Sequence, residues 1–158
     1  MSSLRVFNTS LFLFFIFLFQ TTLIARINFP IGGFSLYIAT LMLVLSLEDR
    51  TGSLVFGFIG GLIMDLSPSA QTPFGQWALA MTFIGYLFSV NRDLVGDFND
   101  RPLALTSLVS IAASVSMITF IIIGVLLGQN TGGLFRNLQV VFANLTWTFL
   151  ITPIFMPL

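Results

Sequence analysis

The run Ser53-Leu-Val-Phe-Gly57-Phe-Ile-Gly-Gly61-Leu-Ile-Met-Asp65 decides how this chain is read. Residues four apart stack on one stripe of a helix, so Gly57, Gly61 and Asp65 share a face. Small residues on such a face let a neighbouring helix come close. Asp65 closes the stripe as an ionisable group within or at the edge of an apolar span. Such groups are costly in lipid and mark functional candidates. The other five acidic residues, Glu48, Asp49, Asp93, Asp97 and Asp100, lie in charged loops.

The rest of the chain sets this stripe in lipid. Of 158 residues, 56% are hydrophobic and 8% charged, and the mean hydropathy is +1.02. A soluble domain carries about 25% charged residues, so the composition predicts an integral membrane protein in a single transmembrane domain, 1–158. Cysteine and histidine are absent, which removes disulfides, thiolate chemistry, imidazole bases and the usual zinc ligands. All six cations are arginines and the net charge is zero, so nothing draws the chain to nucleic acid. The opening apolar run is too long for a signal peptide and lacks its small-residue cleavage pattern. It reads as a retained first helix.

Hydropathy predicts about six transmembrane helices: 6–25, 34–47, 52–66, 74–90, 103–127 and 138–155. The second is short and is expected to begin before Phe34. Prolines 68 and 73 break the chain after the third. No alternation of polar and apolar residues supports a membrane barrel. The fold class is therefore all-α, a polytopic bundle. Arg5, Arg50, Arg92 and Arg101 fall on one side of it and Arg26 and Arg136 on the other. That bias places both termini in the cytoplasm.

On this topology Asp65 lies roughly 22 Å from Arg50 along a core about 30 Å thick. Three readings follow. Asp65 hydrates or bonds the free N–H groups of the next helix; it pairs with a buried cation, Arg26 first and Arg136 second; or it is a proton or cation site. The last is the weakest, since no second acid shares its face. The glycine stripe reads as internal packing before dimerisation, although a homodimer is allowed. Gly124-x-x-x-Gly128 is a second match, and Thr106, Ser110 and Ser114 form a small-residue stripe on the same helix. The polar stretch 91–102 reads as a solvated loop, or as a docking surface whose apolar side is Leu94, Val95 and Phe98. The phenylalanines of the first span lie on all its faces and read as lipid-facing. No nucleophile has a base beside it and no acidic pair shares a face, so no catalysis, cofactor or metal is expected.

From Gly57 to Leu87 the chain reads GFIGGLIMDLSPSAQTPFGQWALAMTFIGYL. This resembles the rod shape-determining membrane protein family MreD, its actinobacterial members most closely. The positions that carry the likeness are Gly57, Phe58, Gly61, Leu62, Asp65, Leu66, Pro68, Gly75, Trp77, Ala78, Leu79, Gly85, Tyr86 and Leu87. Elsewhere the match is compositional. The ending on Met156-Pro157-Leu158, without a charged tail, departs from the family's usual one and reads as a truncation. The resemblance implies a non-enzymatic scaffold of the cell-elongation machinery in the bacterial cytoplasmic membrane. Its partners would be the single-span periplasmic protein MreC, the cytoskeletal protein MreB, and a peptidoglycan polymerase–transpeptidase pair. It also implies a fold like the substrate-binding subunits of energy-coupling-factor vitamin transporters, which sets the alternative of a small-molecule importer subunit. An importer subunit should hold an outward pocket lined by polar groups. A scaffold should have a packed interior or a groove open to lipid.

Overall fold

A computed structural model describes residues 3–26, 34–67, 72–99, 101–130 and 132–155. Among them are seven α-helices and no strand: α1 (Ser3–Thr22), α2 (Leu36–Leu47), α3 (Arg50–Asp65), α4 (Gln76–Val90), α5 (Arg92–Asn99), α6 (Pro102–Leu126) and α7 (Leu134–Phe155), with a 3-10 turn at Ile24–Arg26. Two of them, α1 and α6, are long and apolar enough to cross a membrane, whereas α2 and α4 are apolar but shorter. Pro68, Asp100 and Met156-Pro157-Leu158, named above, lie outside the described residues.

The helix beyond the six expected is α5, which occupies the stretch expected to be a loop. Its apolar side is real but uneven: Val95 is buried while Leu94 and Phe98 stay exposed. The second helix begins later than expected, not before Phe34. Ser35 caps it, its Oγ accepting the Ile38 N–H at 3.2 Å. Gln20 of α1 clamps the same turn, accepting the Leu36 N–H at 2.8 Å and donating to the Phe34 carbonyl at 3.4 Å. The last helix begins four residues early and carries Arg136 within its first turn.

Helix α2 forms the middle of the bundle. Tyr37, Leu41, Met42 and Leu45 are buried together with Phe56 of α3, Met81 and Ile84 of α4, and Val109 and Ala113 of α6. The Tyr37 hydroxyl donates to the Gly60 carbonyl at 2.8 Å, so this buried polar group keeps a partner. At one end of the bundle Arg5 pairs with Glu48, Arg50 pairs with Asp93, and Arg92 donates to the carbonyls of Ser46 and Leu47 that end α2. Asp49 caps α3 there, accepting the Gly52 N–H at 2.6 Å. At the other end Asp65 reaches α4 and Gln76 reaches α6. Successive long helices therefore run in opposite directions.

Candidate functional site

The glycine stripe of α3 is aimed at α4. A Cβ on Gly57 would come 2.6 Å from the Met81 carbonyl oxygen, and one on Gly61 would come 2.5 Å from Ala78 Cα. Gly85 of α4 answers from the other side, where a Cβ would collide with the Ser53 carbonyl. These are backbone contacts, and no rotamer change relieves them. The two helices touch because three positions carry no side chain.

One turn beyond Gly61, the same stripe brings Asp65 over the start of α4. Its Oδ1 accepts the Trp77 N–H at 3.0 Å and its Oδ2 the Ala78 N–H at 2.9 Å. Helix α4 opens at Gly75, which has φ +96° and no side chain with which to cap. Trp77 and Ala78 are the second and third residues of the helix, the two whose amides an N-cap side chain normally satisfies. Asp65 does this from the neighbouring helix, and its charge sits at the positive end of the α4 dipole. The residue is buried, yet both oxygens are used. Among the described residues it makes no ion pair. Of the three readings of Asp65, the structure shows the bond to the free N–H groups of the next helix. The Arg26–Asp65 pair is not formed: Arg26 is exposed, and the amides of α4 already occupy the carboxylate.

Gly124 and Gly128 do not form a packing pair. Gly124 is buried inside α6, but Gly128 lies past the helix end with φ +76° and open space where a Cβ would be. The Gln129 N–H returns to the Gly124 carbonyl at 2.9 Å and the Gly128 N–H to Val125 at 3.0 Å. That is the Schellman arrangement, in which glycine ends a helix by taking the left-handed conformation. Thr106, Ser110 and Ser114 are buried, and each hydroxyl donates to a carbonyl four residues earlier in the same helix.

Sequence reasoning missed Gln76. It is 2% exposed and both ends of its amide are engaged. Nε2 donates to the Phe120 carbonyl at 3.0 Å, and Oε1 accepts from Gln129 Nε2 at 2.8 Å. The signal was available, since an uncharged polar residue at the start of an apolar helix invites an interhelical hydrogen bond. Asn144 and Thr148 of α7 were missed in the same way. Both are fully buried, and the Asn144 Nδ2 has no partner among the described residues. Next to Gln76, the Trp77 ring lies flat on Phe120, with centroids 3.9 Å apart and planes at 16°.

Two concavities flank these contacts. Between the start of α4, the second half of α6 and the start of α7 is a cavity of about 1030 Å³. Thr72, Gln129, Asn130, Arg136 and Asn137 supply its polar wall, with Trp77 and Phe120 beside them. At the opposite end a groove of about 270 Å³ runs between α4, α5 and α6, lined by Ile84, Phe88, Val95, Leu108 and Ala112 among other apolar residues. No group of three or more acidic side chains suited to a metal occurs among the described residues. Comparison with known protein families, with curated proteins and with solved structures finds no match.

Proposed function

We propose that this chain is a multi-pass membrane protein of about six spans with both termini in the cytoplasm, and that it works as a non-enzymatic binding platform. The membrane reading rests on exposed apolar surface. Phe7, Phe12, Phe14, Phe15 and Phe19 of α1, Ile111, Ile118 and Ile122 of α6, and Phe142 and Phe149 of α7 are all exposed. So many large apolar side chains left exposed are rare on a soluble monomer and point to a membrane or partner contact. The shortness of α2 is no obstacle, because non-helical backbone at membrane depth is tolerated where protein surrounds it, and α2 is enclosed on most sides.

The observation that carries the platform reading is the apolar groove beside α5. A groove walled by Ile84, Phe88, Leu108 and Ala112 suits an apolar helix laid into it. Together with the resemblance of 57–87 to the MreD family, this gives a scaffold of the rod-shape complex. MreC would be the direct partner, and MreB and the peptidoglycan polymerase–transpeptidase pair would be its wider company. The test is co-purification in mild detergent after co-expression with MreC. Ala112→Trp, which fills the groove, should release MreC and leave the chain folded. A chain that keeps no MreC, with or without the substitution, sinks this reading.

One observation favours the importer alternative. The cavity at the Asp65 end is polar on one wall and large enough for a small molecule. Tight binding of a vitamin-sized solute by reconstituted protein that fails to retain MreC would establish it.

A further inference from the structure

We infer that the cavity between α4, α6 and α7 is a binding site for an anionic amphiphile, with Arg136 holding its charged head. This holds whether the protein is a scaffold or an importer subunit, because it concerns the ligand's chemistry and not its fate.

The cavity is built by the contacts around it. The Schellman turn at Gly128 ends α6, and Gln129 is then drawn toward α4 by its bond to Gln76. The turn is thus tied to the floor and does not fill the space between α6 and α7. The stacking of Trp77 on Phe120 lays both rings flat along the wall. Behind that wall, Gln76 is 2% exposed and bonded at both ends of its amide to Phe120 and Gln129, so it fixes the wall's shape and does not line the cavity.

Charge selects the ligand. Among the described residues, Arg136 is the only ionisable one that lines the cavity, and no carboxylate does. The nearby acid, Asp65, is committed to the amides of Trp77 and Ala78. Asn130 and Asn137 add amide donors beside Arg136, and the buried Thr72 Oγ1 has no partner among the described residues. A guanidinium flanked by amide and hydroxyl donors suits a phosphate or carboxylate. The remaining lining is Trp77, Phe120, Met117, Ile121 and Val140, which accepts a flat or aliphatic body. About 1030 Å³ is at the upper end of the range that holds small ligands. Two sources share this chemistry: the headgroup of an anionic phospholipid, and a water-soluble organic anion.

Trp77 is the natural reporter, and Trp147→Phe leaves it the sole tryptophan. The full chain is placed in nanodiscs containing brominated phosphatidylglycerol or brominated phosphatidylcholine. In parallel, anthracene-9-carboxylate is titrated into phosphatidylcholine nanodiscs. A lipid ligand is expected to give half-maximal quenching at about tenfold lower phosphatidylglycerol than phosphatidylcholine, the scale of one charge-assisted contact at a partly open site. A soluble ligand is expected to give saturable energy transfer from Trp77 to anthracene-9-carboxylate. In either case Arg136→Gln should remove the effect, while Arg101→Gln, which removes the same charge away from the cavity, should not. Native mass spectrometry of the unaltered chain from mixed lipid should agree, retaining phosphatidylglycerol in the first case only. Equal quenching by both lipids without anthracene-9-carboxylate binding, or a preference that survives Arg136→Gln, overturns the site. Retention or loss of MreC is read separately and leaves this result untouched.

Discussion

The carboxylate of Asp65 caps a helix it does not belong to, taking the Ala78 N–H at 2.9 Å while its other oxygen takes the neighbouring amide. An aspartate at the end of its own helix faces an unfavourable dipole. Here the antiparallel partner offers the opposite pole a few ångströms away. The geometry needs two acceptors. Asparagine supplies one, and its NH₂ would then face the second backbone N–H. Asp65→Asn should therefore destabilise the chain by about 1–3 kcal/mol, measured as a shift in thermal unfolding in detergent. Because Arg26 is not its partner, Arg26→Gln should add independently to that loss in a double-mutant cycle. A strongly non-additive pair would restore the ion pair that the sequence suggested.

The glycines should separate by what they meet. Gly61→Ala drives a Cβ against Ala78 backbone and forces α3 from α4, which should cost about 1–3 kcal/mol. Gly60→Ala meets the Leu41 side chain, Cδ1 at 2.6 Å, Cδ2 at 2.7 Å and Cγ at 3.2 Å, which can turn where backbone cannot, and should cost less. Gly96→Ala has open space on α5 and should stabilise by up to about 1 kcal/mol, the ordinary helix preference for alanine. Unfolding midpoints in one detergent rank the three, and a Gly61→Ala as mild as Gly60→Ala would place the close helix contact elsewhere.

Much of this site was legible because helix geometry is local. The four-residue spacing of Gly57, Gly61 and Asp65 fixes a common face whatever lies opposite. It could not say which helix lay there, so the choice between an amide cap and Arg26 stayed open until Gly75 was seen to leave α4 without a cap of its own. Gly128 misled because a packing glycine and a helix-ending glycine look alike in sequence; only the backbone conformation separates them. Helix α5 was hidden by its charges, which argue for a loop, although Leu94, Val95 and Phe98 already had helical spacing. The cavity could not be foreseen at all. It depends on Gln76 meeting Gln129, two residues 53 apart in the chain.

Glu48 and Arg5 are unequal partners. Glu48 is buried, with one oxygen 3.1 Å from Arg5 and the other without a partner among the described residues, whereas the Arg5 side chain is largely exposed. Removing the cation strands a buried charge; removing the charge strands nothing buried. Arg5→Gln should thus lower the unfolding midpoint, and Glu48→Gln should lower it less or raise it. The reverse order would mean that Glu48 is held by something other than Arg5.

The alternation of helix direction carries a prediction about sides. The end that gathers Arg5, Glu48, Arg50 and Arg92 is the one the arginine bias assigns to the cytoplasm. Asp97 in α5 lies toward that end, and Asn130, past the end of α6, lies toward the other. The chain has no cysteine, so a single introduced thiol reports one position without background. Asp97→Cys should react with a membrane-impermeant maleimide only after the cells are opened, and Asn130→Cys should react in intact spheroplasts. Both positions are exposed, so failure to label is a matter of side and not of burial. Labelling of both from the same side would remove α6 as a span, and with it the assignment of Arg136 and its cavity to the outer face.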